Sequence, residues 1–139
     1  MTTAFIVHKK VRFQHCDPGG IVFTPQYFNL FVEVVEDWFD ISLNYSFAKM
    51  VVTSQFGIPA MRIEARFHNP SYLEDNLEMK LVVKRLTEST ALVEIVSSCA
   101  GEKRCSMELL YGYASLAEKR LTHWPTDVYE RMQGYLSVS

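Results

Sequence analysis

A strongly amphipathic segment between residues 24 and 40 most limits the folds that are open to this chain. Its apolar side chains recur at intervals of three and four residues, which places them in one stripe along a helix; the stripe consists of Tyr27, Leu30, Phe31, Val34, Val35 and Trp38. Thr24 suits the N-cap position, and Pro25 suits the first helical position. Burying this stripe would contribute on the order of 10 kcal/mol before the entropy cost, so the helix needs a large apolar partner.

Five segments are predicted to be strands that supply this partner, three from alternating apolar and polar residues and the last two from apolar residues on both faces. One segment precedes the helix and four follow it; they are residues 7–14, 61–67, 77–84, 91–98 and 105–116. Their short connections, including a tight turn at 100–103, predict antiparallel hairpins. A short helix is expected at 45–51 and another after Pro125. The chain is therefore predicted to be one α+β domain, residues 1–139, in which a five-stranded antiparallel sheet wraps around one long helix.

Composition and charge exclude several classes of protein. The formal net charge of -2 does not fit a protein whose main task is to bind nucleic-acid phosphates. No apolar run approaches the roughly 20 residues of a membrane helix, and the first residues do not resemble a secretory signal. Cys16, Cys99 and Cys105 are odd in number and share no metal-binding spacing. These observations predict a cytoplasmic protein without a membrane, nucleic-acid or metal partner.

The residues just before the helix place one carboxylate in a tight turn. This turn consists of Asp17, Pro18, Gly19 and Gly20. A helix start offers unpaired N–H groups and a partial positive charge, and an aspartate offers a base or a nucleophile. Held around one carbonyl group, the two elements are suited to the hydrolysis of an acyl group. An alternative is that Asp17 only bonds the backbone N–H groups of its own turn.

Residues 11–28, VRFQHCDPGGIVFTPQYF, resemble the signature of the hotdog-fold acyl-CoA thioesterases, and among them the 4-hydroxybenzoyl-CoA thioesterase branch. The resemblance implies a hotdog fold that hydrolyses an acyl-CoA, preferably aromatic, and needs no cofactor besides the coenzyme A of its substrate. It implies that Asp17 acts as nucleophile or general base and that the backbone N–H of Thr24 binds the thioester oxygen. It also implies a homodimer or homotetramer with active sites between subunits, in agreement with the apolar residues on both faces of the last two strands.

Three features depart from the pattern of that family. His15 stands where a small or acidic residue is usual, and offers a new polar contact beside the site. The helix carboxylate expected near Val32 is replaced by Glu33, which is turned by about 100°. The basic cluster that meets the coenzyme A phosphates is missing, and Lys84 and Arg85 are the nearby substitutes. The predicted substrate-binding residues are Gly20, Tyr27, His15, Glu33, Lys84 and Arg85.

Two other functions fit the same residues. The first is a hotdog dehydratase or hydratase that acts on 3-hydroxyacyl thioesters and pairs a histidine with a helix carboxylate; His15 and Glu33 are the candidates. The second is a non-catalytic subunit that binds an acyl thioester. Enoyl-thioester hydration without release of thiol would indicate the first function, and tight binding without release of thiol would indicate the second.

Overall fold

The structure is a computed structural model that describes residues 3–137, so the predicted domain of residues 1–139 extends beyond it by two residues at each end. The strands and α-helices are β1 (Phe5–Lys10), α1 (Thr24–Ile41), β2 (Phe56–Gly57), β3 (Ala60–Phe67), β4 (Asn76–Leu86), β5 (Thr90–Cys99), β6 (Glu102–Gly112), β7 (Ala114–Ser115), β8 (Arg120–Leu121) and α2 (Thr126–Gln133). A 3-10 turn at Phe13–His15 precedes α1, and a π-helical segment at Ala48–Thr53 follows it.

Five strands form one antiparallel sheet in the order β1-β4-β5-β6-β3. This confirms the predicted sheet. The strands β2, β7 and β8 form a second, small sheet that the sequence does not predict. Strands of two residues are too short to show an alternating pattern, so pattern analysis cannot detect them.

The helix α1 and one face of the large sheet share a single hydrophobic core. All six residues of the predicted helix stripe are buried. The strand β4 shows the matching alternation, because every second residue is fully buried; these residues are Leu77, Met79, Leu81 and Val83. The helix and strand periodicities therefore identified the two surfaces that pack together.

The first strand lies earlier than predicted, at Phe5–Lys10 instead of 7–14. The chain leaves its partner strand at Val11, whose N–H and C=O groups bond Asp75 O at 2.8 Å and Glu74 N at 2.9 Å. The following 3-10 turn is closed by a hydrogen bond from Arg12 N to His15 Nδ1 at 2.9 Å. The Arg12 N–H thus bonds a side chain instead of a neighbouring strand. The alternating pattern of residues 11–14 gives no sign of this bond, so these residues were predicted to be part of the strand.

Lys9 interrupts the alternation of β1 because it contacts the helix. Its Nζ lies 2.7 Å from Asp37 Oδ2 and 3.3 Å from Glu33 Oε1. Burial lowers the pKa of Lys9, but the hydrogen bonds and charges of the two carboxylates outweigh it, and the pKa is raised. This ion-pair cluster fixes β1 against the middle of α1.

Three further segments differ in detail from the prediction. The strand β6 ends at Gly112, whereas 105–116 was predicted, because residues 114–115 pair with the small sheet instead. The helix predicted at 45–51 is the π-helical segment Ala48–Thr53. The helix predicted after Pro125 is α2, and its apolar residues Val128 and Met132 are buried.

Candidate active site

Asp17 lies in a tight turn directly before α1. Its C=O accepts a hydrogen bond from Gly20 N at 3.0 Å, and its N–H donates to Ile21 O at 2.9 Å. Gly20 has a φ of +80°, a left-handed conformation that glycine adopts without steric cost. The tight turn predicted at residues 17–20 is therefore present, with a glycine at its position of positive φ.

The Asp17 carboxylate serves this turn through one of its oxygens. Oδ1 accepts hydrogen bonds from Gly19 N at 2.8 Å and from Ile21 N at 3.4 Å, as in an Asx turn. Among residues 3–137, no donor is hydrogen-bonded to Oδ2. The side chain is half-buried. The structural role of Asp17 and a chemical role are thus compatible, because they use different oxygens.

The helix α1 begins with one free donor. Its N-cap is Phe23, not Thr24 as predicted, because Phe23 is held extended by a hydrogen bond from its N–H to His15 O at 2.9 Å. Phe23 has no polar side chain to cap the helix. Pro25 has no N–H, and Gln26 N donates to Phe23 O at 2.8 Å. Among the first three helical residues, Thr24 is therefore the one whose N–H has no hydrogen-bond acceptor within residues 3–137. Thr24 is also exposed.

His15 is buried with one ring nitrogen already engaged. Because Nδ1 accepts a hydrogen bond from Arg12 N, the proton of the neutral imidazole is assigned to Nε2. His15 lines a cleft of about 390 Å³ beside α1; its lining residues are Gln14, His15, Gln26, Phe28, Asn29, Val32 and Glu33. The structure therefore brings the predicted residues His15 and Glu33 to one cleft, where Lys9 contacts the Glu33 carboxylate.

Tyr27 lies in the core instead of facing this cleft. Its ring packs 5.6 Å from that of Phe67 and 6.4 Å from that of Phe31, measured between centroids. Burial raises the pKa of the Tyr27 hydroxyl. Contact between Tyr27 and a substrate would require this packing to open.

Lys84 and Arg85 lie near the end of β4 that is further from the Asp17 turn. The strand β4 starts beside the Asp17 turn, at Asn76, and Arg85 is nine residues further along it, or about 30 Å at the usual rise of a strand. Lys84 is the extra residue of a bulge between Val83 and Arg85. For a substrate bound at Asp17, these two cations would have to come from another subunit.

A loop that the sequence did not suggest supports the Asp17 turn. This loop comprises residues 70–75, between β3 and β4. Its Ser71 O accepts a hydrogen bond from Val22 N, and its Leu73 N donates one to Gly20 O, both at 2.9 Å. Tyr72 forms a β-bridge with Ile21. Some fifty residues separate the two segments, so no local sequence signal could have indicated this contact.

Other chemistries find less support in the side chains of residues 3–137. Burial and the negative charge of Asp17 raise the pKa of the Cys16 thiol, which disfavours the reactive thiolate. Over the same residues, no three His, Cys, Asp or Glu side chains are grouped as metal ligands would be. No helix in this range has both the length and the apolar content needed to cross a bilayer.

The sequence model of the thioesterase-like superfamily matches residues 11–132. No curated protein shows significant sequence similarity to the chain. Among solved structures, a gentisyl-coenzyme A thioesterase is 19% identical with a TM-score of 0.81, over 89% of this chain and 98% of that one. A 1,4-dihydroxy-2-naphthoyl-CoA thioesterase from Synechocystis is 17% identical with a TM-score of 0.85, over 94% and 96%. The dynemicin thioesterase is 12% identical with a TM-score of 0.86, over 99% and 100%. These likenesses confirm the predicted hotdog fold.

Proposed function

Because the chain belongs to the thioesterase-like superfamily, we propose that it hydrolyses an acyl-CoA to the free acid and coenzyme A. Thioester hydrolysis is the class of reaction that the sequence predicted and that this family carries out. The proposal rests on two groups that lie close together in the sequence, the Asp17 carboxylate and the N–H of Thr24. Within residues 3–137, no donor bonds one of the Asp17 carboxylate oxygens, and no acceptor bonds the Thr24 N–H at the start of α1.

In the proposed reaction, Asp17 attacks the thioester carbonyl or takes a proton from the water that attacks it. The Thr24 N–H and the positive end of α1 stabilise the oxyanion, and one such donor typically contributes about 3–4 kcal/mol. Coenzyme A then leaves as a thiolate. A thiolate is a good leaving group, so the site needs no strong acid beside the sulfur.

We propose that the cleft lined by His15 takes a hydroxylated aromatic acyl group. Phe28 and Val32 offer apolar surface, while His15 Nε2–H and the side chain of Glu33 offer a donor and an acceptor. Two of the similar structures are thioesterases for gentisyl-CoA and 1,4-dihydroxy-2-naphthoyl-CoA, which both carry hydroxyl groups on aromatic rings. This supports the same class of substrate here.

We expect His15→Asn to lower kcat/KM for a hydroxybenzoyl-CoA by about 3–10-fold, the worth of one net hydrogen bond. The asparagine oxygen can still accept from Arg12 N, as Nδ1 does, but the Nε2–H donor is lost. Benzoyl-CoA, which has no ring hydroxyl, is the control substrate and should be hydrolysed at nearly the wild-type rate. An equal loss with both substrates would contradict the assignment of His15 to hydroxyl recognition.

We propose that the chain forms a homodimer through β3. This strand pairs with β6 on one side, and its other edge faces no described strand. Its apolar side chains Met61, Ile63 and Phe67 are exposed. A long open edge with apolar side chains is a ready template for pairing with a second copy, and a homotetramer would add a further contact between such dimers.

Ile63→Lys should convert this dimer to a monomer, because a lysine on an edge strand opposes pairing. Ile63 is 41% exposed on β3, and Ile6 is 50% exposed on β1, the opposite edge of the same sheet. Ile6→Lys is therefore the matched control. Light scattering after gel filtration measures the mass of each variant. A mass that falls with Ile6→Lys and not with Ile63→Lys would place the interface at β1.

The experiment that tests the function is thiol release over a panel of aromatic and aliphatic acyl-CoAs. The common cleft of His15 and Glu33 is the one observation in favour of the dehydratase alternative, and hydration of an enoyl-CoA is assayed in parallel. Hydration without thiol release would replace the proposal with that alternative. Binding without either reaction would indicate a non-catalytic subunit.

Cys16, Cys99 and Cys105 are all free thiols, which supports a cytoplasmic location.

A further inference from the structure

Arg104 on β6 makes a buried ion pair with the loop that supports the Asp17 turn. Its side chain is 10% exposed, and Nη1 lies 2.6 Å from Asp75 Oδ2. The same nitrogen donates to Pro70 O at 3.0 Å. The guanidinium also lies over the ring of Tyr72, 5.9 Å from its centroid. One side chain thus contacts the beginning, the middle and the end of the loop 70–75.

Asp75 connects this cation to the loop backbone. Its Oδ2 accepts a hydrogen bond from Tyr72 N at 2.9 Å as well as the one from Arg104. Burial raises the pKa of the Asp75 carboxyl, but these two partners outweigh it, and the pKa stays below its ordinary value. Arg104 and Asp75 are therefore both ionised at neutral pH, and Arg104 links the two ends of the loop through Pro70 O and Asp75 Oδ2.

The backbone of the loop connects this ion pair to the Asp17 turn through two hydrogen bonds. Leu73 N donates to Gly20 O, and Ser71 O accepts from Val22 N, both at 2.9 Å. These contacts lie on either side of Ile21, whose N–H is one of the two donors to Asp17 Oδ1. A shift of the loop would therefore move the donors that orient the carboxylate.

We propose that Arg104 and Asp75 are positioning residues, which hold the Asp17 carboxylate in line with the start of α1. This inference rests on the proposed role of Asp17. A misplacement of about 1 Å can cost a large factor in rate even when the reacting groups are intact. Arg104 and Asp75 act through the loop and the turn, and contact neither the Asp17 carboxylate nor the Thr24 N–H.

Asp75→Asn tests the proposal, because it keeps the shape of the side chain and removes its charge. The control is Glu102→Gln. Glu102 Oε1 lies 2.8 Å from Arg104 Nε, but the two atoms are not aligned for a hydrogen bond, so this is a charge contact only, and the Glu102 side chain is 54% exposed. We expect Asp75→Asn to lower kcat by about tenfold or more with little change in KM. Glu102→Gln should change kcat by less than about twofold.

A double variant separates positioning from general destabilisation. If Asp75 acts through Asp17, Asp75→Asn should not lower the residual rate of an Asp17→Asn enzyme any further. A merely structural role would reduce the rate of both backgrounds in proportion to the folded fraction, which circular dichroism measures. If Asp75→Asn does not fold, Arg104→Lys replaces it, because lysine keeps the charge and loses the planar fork.

Hydrogen exchange gives a readout that does not need activity. The peptide that covers residues 15–23 should exchange faster in Asp75→Asn than in the wild type and in Glu102→Gln, while a peptide from α2 should not change. Unchanged exchange and unchanged kcat in Asp75→Asn would overturn the proposal. If the wild type hydrolyses no acyl-CoA, the proposed function fails, and the exchange of residues 15–23 still decides whether the pair holds the turn.

Discussion

Replacing Asp17 by Asn is expected to lower kcat for acyl-CoA hydrolysis by about 10²–10⁴-fold, the usual contribution of a general base. The amide keeps the size of the side chain, and its oxygen can still accept the hydrogen bonds from Gly19 N and Ile21 N. The turn should therefore stay intact, while the group that attacks or takes the proton is lost. Steady-state thiol release measures the effect, and thermal melting checks that the variant is folded.

Asp40→Asn is the matched control for this variant. Asp40 is exposed near the other end of α1, so the same chemical change there should leave kcat within about twofold of the wild type. If Asp17→Asn retained nearly full activity, Asp17 would be only a turn residue. The hydrolysis would then need another base, and His15 and Glu33 are the titratable groups that line the described cleft.

The structure is compatible with both uses of the Asp17 carboxylate. As a nucleophile, its free oxygen bonds to the acyl carbon, coenzyme A leaves as thiolate, and water then cleaves the mixed anhydride. As a general base, it takes a proton from the water that adds to the same carbon. A single turnover in water enriched in heavy oxygen tests for the anhydride, because water that attacks its aspartyl carbon leaves the isotope in the enzyme. Isotope found in the peptide that contains Asp17 indicates attack by the carboxylate.

The parts of the fold that follow from local periodicity could be predicted from the sequence. The stripe on α1 and the alternation on β4 are properties of neighbouring residues, and both proved to be the buried faces. The 3-10 turn before α1 could not be predicted, because it depends on Arg12 N finding His15 Nδ1 in place of a strand partner. The position of Phe23 as the N-cap could not be predicted either, because its conformation is set by the hydrogen bond from its N–H to His15 O.

The candidate site was predictable only where its residues are close in sequence. Asp17, Gly20 and Thr24 lie within one short segment, and the resemblance to known thioesterases assigned their roles. Lys84 was expected to meet coenzyme A on the basis of charge, but the direction of β4 carries it away from the turn. The pair of Arg104 and Asp75 was missed, because 29 residues separate its members and only the fold brings them together.

Phe31→Ala is expected to lower the free energy of unfolding by about 3–5 kcal/mol, the usual cost of removing a buried phenylalanine. Phe31 has no exposed surface and lies in the middle of the α1 stripe. Its ring also makes an edge-to-face contact with Tyr27, at 6.4 Å between centroids. Truncation leaves a cavity that the sheet on one side and the helix on the other can close only in part.

Phe13→Ala is the matched control, because Phe13 is 81% exposed in the 3-10 turn, and the same truncation there should change stability by no more than about 0.5 kcal/mol. Urea unfolding at one fixed protein concentration compares the two variants, since any dimer would make stability depend on concentration. A loss with Phe31→Ala as small as the one expected for Phe13→Ala would mean that the aromatic stripe of α1 does not face the sheet. A large loss with Phe13→Ala alone would instead indicate that Phe13 is buried by a second subunit.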